Sequence, residues 1–180
     1  MDVRQASLDD FEACATIVPT VQSSHVWQLR LAYDPTAPHV PEELGATLSR
    51  TRLPRPVSVR PARPETLEHL WERASDVLVA QHADQIAGYI VLDGDDRART
   101  VTIARLVVAP PMRRGGVGGA LLRASLQWGR AFGHQRLLAH CAARNDPTAS
   151  FYMRYGLRFA GYSEAFYPTG EVALFWQRGV

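Results

Sequence analysis

Between an apolar run that ends at Val108 and the start of a helix-like stretch, the chain reads PPMRRGGVGGALLRASLQWGR, Pro110 to Arg130. Two arginines run into four glycines, Gly115, Gly116, Gly118 and Gly119. Beyond them Leu121, Ser125, Trp128 and Phe132 fall on one stripe at helical spacing, and Gly133 is placed to stop the helix. A second apolar run, RLLAHCA, occupies 136–142. Strand, glycine loop, helix and strand form a unit that, if its strands are parallel, needs a right-handed crossover. Glycines ahead of a helix also let an anion rest against backbone N–H groups at the positive end of the helix dipole.

Two familiar anion loops are excluded. A dinucleotide fingerprint, G-x-G-x-x-G, would use Gly116 and Gly118 but puts Leu121 at its third glycine, and the next strand ends in LAHCA without an acid for the ribose. A P-loop needs a lysine, and all 20 basic residues are arginine. The same absence removes a Schiff-base lysine. Cys14 and Cys141 stand alone, which excludes a zinc ribbon and a disulfide framework, and no metal is expected. A net charge of +2 with scattered arginines gives no nucleic-acid surface. No apolar run approaches the ~20 residues of a membrane span. The N-terminus MDVRQASLDD lacks the apolar core of a signal peptide. One domain over 1–180, in the cytoplasm, is the expectation.

The rest of the chain predicts a mixed α/β (α+β) fold. VRQAS reads as a first strand and SLDDFEACATIV as a helix with Ser7 as N-cap. Three apolar runs at 77–80, 86–92 and 101–108, separated by HADQ and DGDDRA, read as an antiparallel meander. That makes 101–108 the fourth strand and 136–142 the fifth. DPTASFYMRYG predicts a helix with Asp146 as N-cap, Pro147 at its first position and Gly156 after its end. RFAGYSEAFY and EVALFWQR are two closing strands joined around PTG. Residues 34–64 carry many of the twelve prolines; they predict a short helix over 41–50 within an extended loop, before a helix over 64–74.

Val108-Ala109-Pro110 followed by Arg113-Arg114-Gly115-Gly116-Val117-Gly118 resembles the R/Q-x-x-G-x-G/A motif of the GNAT superfamily of acetyl-CoA-dependent N-acetyltransferases. The likeness runs from about Val77 to the C-terminus and, more weakly, to the first strand and helix. Asn145, Tyr152 seven residues later and YGLRF match the family's next landmark, with Leu157 where a Phe is usual. ASLQWG and the tail from Asn145 to Trp176 resemble the streptothricin-acetyltransferase group. Tyr167-Pro168-Thr169 is shared with ribosomal-protein N-terminal acetyltransferases.

The resemblance implies a single central sheet of six to seven strands flanked by helices and splayed between the fourth and fifth strands. It implies acetyl-CoA as cofactor, with its pyrophosphate on Arg113, Arg114, Gly115, Gly116, Val117 and Gly118. Backbone groups of Leu106, Val107 and Val108 would pair with the pantetheine arm, which Asn145 would also contact. Tyr152 would protonate the departing thiolate. A Glu often stands five residues before the Asn as general base; here that residue is His140. Glu171 and Glu164 are reserve bases. His25, Trp27, Tyr33, Tyr162, Glu164, Tyr167 and Glu171 are candidates for the acceptor side, with 34–64 as its wall. On their own residues, Tyr152 reads also as a core tyrosine between Phe151 and Tyr155, and His140 as a packed histidine. Cys141 reads as a small buried residue. The expected partner is a small-molecule or antibiotic-like primary amine, acetylated by direct transfer; a protein N-terminus and a non-catalytic acyl-CoA-binding module are the alternatives. Monomer and homodimer both remain open.

Overall fold

The meander forms as β4 (Asp76–His82), β5 (Gln85–Asp95) and β6 (Thr100–Val108) in the computed structural model, which describes every residue except Pro35, Ala37, Pro41, Leu44, Arg63 and Pro64. Alternate side chains of these strands go to opposite faces. Leu78, Ala80, Ile90 and Leu92 join one apolar cluster; Val77, Val79, Tyr89 and Val91 join another. Both faces are therefore covered, which is why the runs read as nearly continuous apolar stretches. β1 (Asp2–Gln5) pairs antiparallel with β4. α1 (Asp10–Ala15) and α2 (Leu67–Arg73) supply Cys14 and Leu70 to the second cluster.

The crossover unit follows as expected. α3 (Val117–Ala131) leads into β7 (Arg136–Ala142), which lies parallel to β6. α4 (Asp146–Arg154), β8 (Arg158–Ser163) and β9 (Ala173–Gly179) complete the chain. The main sheet has seven strands in the order β1-β4-β5-β6-β7-β9-β8. β6 and β7 are in register at three pairs only, Thr100↔Arg136, Val101↔Leu137 and Thr102↔Leu138. Beyond Thr102 they part, while β6 stays paired to β5 up to Gly88↔Val108 and β7 stays paired to β9 up to Ala142↔Ala173. The splay lies between the fourth and fifth strands of the sequence reading.

The Pro-rich region differs from its expectation. β2 (Val21–Leu31) and β3 (Ala46–Val59) form a separate two-stranded antiparallel ribbon. Residues 46–50, expected in a helix, are strand; Pro41 and Leu44 lie outside the described residues. Pro54 and Pro56, which have no N–H to donate, sit where the register slips, between the pairs Ser23↔Val57 and His25↔Arg52. The ribbon is fastened to the main body by Trp27 N–H donating to the Ala143 carbonyl, 2.9 Å. It is fastened again by Arg50, whose Nε and Nη2 donate to the two Asp146 carboxylate oxygens at 2.7 and 2.8 Å.

Helix ends moved by small steps. Ser7 does not cap α1; its N–H and hydroxyl donate to Asp10, whose carboxylate also takes a two-pronged bond from Arg4. α2 starts at Leu67 behind Thr66, whose hydroxyl accepts from His69 N–H; Pro64 lies outside the described residues. Asn145, not Asp146, caps α4. Phe132 does not bury with Leu121 and Ser125: it is the C-cap of α3, is exposed, and lies against Trp128 with ring centroids 4.6 Å apart. Among the described residues no helix is long and apolar enough to cross a membrane.

Candidate active site

Where β6 and β7 part, a cleft of about 740 Å³ opens on the α3/α4 face of the sheet. Its floor is Leu106, Val107 and Val108, its head is Arg113, Arg114 and Gly116 to Gly119, and its far wall is Asp146 to Tyr155 of α4. Gly116 sits at φ +85°, the left-handed conformation that turns the chain into α3. Its carbonyl accepts from Ala120 N–H at 3.0 Å. The N–H groups of Val117, Gly118 and Gly119 therefore precede the first intrahelical bond, and all three residues line the cleft. Three aligned donors at a helix N-terminus suit a diphosphate. The β6 edge facing β7 has no ladder partner beyond Thr102 among the described residues, which suits an extended arm bearing amides.

The four glycines do not all serve that purpose. A Cβ at Gly119 would overlap the Tyr155 hydroxyl, and one at Gly118 would stand 3.1 Å from the Phe151 ring. These two glycines let α3 and α4 pack closely. Arg113 also differs from expectation. Its guanidinium donates to three carbonyls, Val108 (3.0 Å), Val18 (3.2 Å) and Thr20 (2.9 Å), and so ties the loop to the chain ahead of β2. It stands at the cleft as a brace, whereas Arg114 is exposed there with φ +69°.

Tyr152 lies on α4 at the cleft and is 3% exposed. Burial, then the proximity of Cys141 and Tyr167, pushes its hydroxyl well above the usual phenol range, so it stays protonated at any working pH. Asn145 uses its side-chain oxygen to accept from Thr148 N–H, 3.3 Å, as the helix cap. Cys141 is buried and its thiol is pushed up to about 12 by desolvation, which leaves no thiolate for a covalent step.

His140 and Cys141 are neighbours on β7 and point to opposite faces of the sheet. His140 therefore belongs to a different cavity, about 260 Å³, lined by Glu65, Arg73, Asp93, Thr102, Ala104, Phe166 and Phe175. Arg73 bridges Glu65 (3.3 Å) and Asp93 (3.6 Å) there. The His140 ring lies against Phe166, centroids 4.8 Å apart, and its Nδ1 is 2.7 Å from the Tyr167 hydroxyl. None of Glu65, Arg73, Asp93, Phe166 and Phe175 was singled out in the sequence, because they come from four separate segments.

The other acceptor-side candidates are placed elsewhere. Glu171 is ion-paired with Arg144, whose Nη2 also donates to it at 3.1 Å. Tyr33, Tyr162 and Glu164 cluster; desolvation, then Tyr33 and Glu164, raise the Tyr162 hydroxyl above its ordinary value. Trp27 packs on the core cluster of the cleft face, with its indole N–H buried and unpartnered among the described residues. These residues line neither cavity. His25 lies 3.9 Å from Asp146 and 3.2 Å from Arg50, in the ribbon's attachment. Among the described residues no cluster of three His, Cys, Asp or Glu could hold a metal ion.

That attachment has a testable weight. Asp146 is 5% exposed, and Arg50 first, then the charge of His25, hold its carboxyl below the usual range. A carboxyl lowered on folding stabilises the fold above its unfolded pKa of about 3.9 and stops doing so as pH falls through the folded value. Arg50→Ala should destabilise the protein at pH 7, because Asp146 loses its two-pronged donor and keeps only Ser150 as a hydrogen-bond donor among the described residues. The gap from wild type should narrow below about pH 4. Denaturant melts at pH 7 and pH 3 measure both.

A family model for the GNAT acetyltransferase family matches residues 46–157. Among solved structures, a nourseothricin acetyltransferase superposes with a TM-score of 0.82 at 24% identity, covering 99% of this chain and 97% of that one. A protein from Bacillus anthracis str. Ames, provisionally named a streptothricin acetyltransferase and solved with acetyl coenzyme A, gives 0.76 at 17%, covering 99% and 96%. The ribosomal-protein-S18-alanine N-acetyltransferase from Escherichia coli gives 0.65 at 16%, covering 99% and 93%. A search of curated protein sequences finds no match.

Proposed function

The chain belongs to the GNAT acetyltransferase family, and from that premise we propose that it acetylates a primary amine of a small, antibiotic-like molecule by direct transfer. Enzymes of this family use acetyl-CoA, which when bound supplies the acetyl group as an activated thioester. The observation that carries the reading is the parting of β6 from β7. It leaves a long cleft with Tyr152 on one face of the sheet and a small pocket with His140 on the other.

The chain's own residues then divide the work. The N–H groups of Val117 to Gly119 and the α3 dipole hold the diphosphate, with Arg114 adding charge. The open β6 edge from Ile103 to Val108 orients the pantetheine arm. Tyr152, protonated and desolvated, stands on the thioester side as the proton donor for the departing thiolate; the same dry surroundings raise that thiolate's basicity. His140 stands on the opposite face as the acceptor of the amine's proton, its unperturbed pKa being close to neutral. Phe166 and Phe175 form an aromatic wall for a cationic amine, and the pocket's two carboxylates, Glu65 and Asp93, outnumber the one arginine, Arg73, that bridges them among the described residues. A pocket of this size suits a single aminoalkyl group better than a folded protein surface. The full-length likeness to the nourseothricin and streptothricin acetyltransferase structures supports a small-molecule acceptor.

A panel of primary amines, including streptothricin-type antibiotics and N-terminal peptides, is the test, with CoA thiol release as the readout. Turnover on small amines and none on peptides is expected. The reverse preference would transfer the reading to protein N-termini. Binding of acetyl-CoA without turnover on any amine would leave a non-catalytic acyl-CoA module.

A further inference from the structure

We propose that Tyr167 is a second proton-transfer residue, whose hydroxyl takes the proton of the acceptor amine and passes its own to Nδ1 of His140. The inference rests on the acetyl-transfer reading above and goes beyond it. Tyr167, expected only to line the acceptor site, is 4% exposed and packs with Ala142 and Ala173 where β7 ends and β9 begins. Its hydroxyl is 2.7 Å from His140 Nδ1. Phe166 holds both rings, edge-on to Tyr167 at 5.1 Å and to His140 at 4.8 Å. The same hydroxyl is near enough to Tyr152 to act on it electrostatically. Tyr167 thus touches His140 at the end of the strand that separates the two faces of the sheet.

The chemistry of the pair decides the direction of the bond. A phenol is a better donor than acceptor, and the bare nitrogen of a neutral imidazole is a strong acceptor. The arrangement is therefore O–H donating to Nδ1, with the ring proton of neutral His140 on Nε2. Nδ1 is then shielded from the amine by the hydroxyl. The ammonium N–H bond breaks as an O–H bond forms on Tyr167, while the original tyrosine O–H bond breaks and an N–H bond forms at Nδ1. The products are a neutral amine, an unchanged tyrosine and an imidazolium. The charged groups lining the pocket around that imidazolium, among the described residues, are Glu65, Arg73 and Asp93.

The first test needs no acceptor. In protein labelled with 15N and 13C at histidine, the signals lost in His140→Gln identify His140, and its neutral form should be the Nε2–H tautomer. In Tyr167→Phe, which fills the same space, the Nδ1 resonance should move away from its wild-type position. The second test is kinetic. Tyr167→Phe should lower kcat by about 10²-fold, within the usual range for a proton-transfer group, with acetyl-CoA affinity unchanged. Combining it with His140→Ala should cost no more than the worse single variant, since both break one path. An Nδ1–H tautomer in the wild type, wild-type kcat in Tyr167→Phe, or losses that multiply in the double variant would each overturn the relay. Failure to acetylate any amine would instead defeat the functional reading, and the tautomer would still decide how the pair is bonded.

Discussion

Tyr152→Phe should turn over about 10²–10⁴-fold more slowly than the wild type while binding acetyl-CoA as tightly, the range seen when an acid–base group is removed. The change deletes one oxygen and nothing else. The ring is 3% exposed and belongs to the core cluster with Leu121, Ala149 and Leu174, so Phe keeps the packing. Among the described residues no hydrogen bond contributes to the state of the hydroxyl; burial dominates, with Cys141 and Tyr167 adding to it. Losing the oxygen therefore leaves no orphaned partner, and the melting temperature should hold or rise slightly. The thiolate released on the α4 side then has no buried donor and must draw its proton from water that the cleft restricts. Thiol release at saturating acetyl-CoA and acceptor gives kcat, and calorimetric titration with acetyl-CoA gives the affinity. Wild-type kcat in the variant would return Tyr152 to the role of a core tyrosine.

Gly116→Trp should weaken acetyl-CoA binding by more than about 10²-fold, because it removes the cleft's head rather than a single contact. Space alone does not protect this position: a Cβ there meets nothing within 4 Å. The φ of +85° matters instead, since a side chain in left-handed backbone costs about 1–2 kcal/mol. A bulky side chain at the head of the cleft, one residue before the N–H groups of Val117 to Gly119, also competes for the space the proposed diphosphate needs. Gly116→Asn separates the two effects. Asn tolerates left-handed backbone, so this variant should melt close to the wild type and lose far less affinity. Titration of both variants, with circular dichroism to confirm the fold, reads the difference. Equal affinity in Gly116→Trp would remove the diphosphate from this loop.

The parallel unit was legible because it is local: a strand, a glycine turn, an amphipathic helix and a strand lie within residues 101–142, whereas its splay was implied only by the family resemblance. The ribbon β2–β3 was not. β3 is largely exposed and β2 mostly half-buried, so no clean alternation of apolar and polar residues marks them, and Pro54 and Pro56 read as breakers although they sit in a slip of the ladder. The glycine run was read as one device for one ligand. Half of it, Gly118 and Gly119, answers Phe151 and Tyr155, which lie more than thirty residues on and become neighbours only when α3 and α4 pack. Arg113 was read as a phosphate ligand for the same reason: its partners Val18 and Thr20 are over ninety positions away. The pocket around His140 is assembled from α2, β5, β6, β7, β9 and their flanking loops. Periodicity carries no information on which loops meet, so Glu65 and Asp93 stayed hidden while His140, five residues before Asn145, did not.

The parting of β6 from β7 also gives the sheet an unusual kind of boundary. In most sheets the only unsatisfied ladder groups are on the two outermost strands, here β1 and β8. This sheet carries a third margin in its middle, along β6 from Ile103 onward, roofed by α3 and α4 instead of facing bulk water. An elongated molecule bearing amides can occupy that margin as though it were a strand. Before it does, the amides on that side of β6 should exchange with deuterium like those of an outer strand; afterwards they should exchange like their neighbours in β5. On that reading the sheet is completed by a segment that the chain does not encode, and its centre is knit more firmly with the small molecule bound than without it.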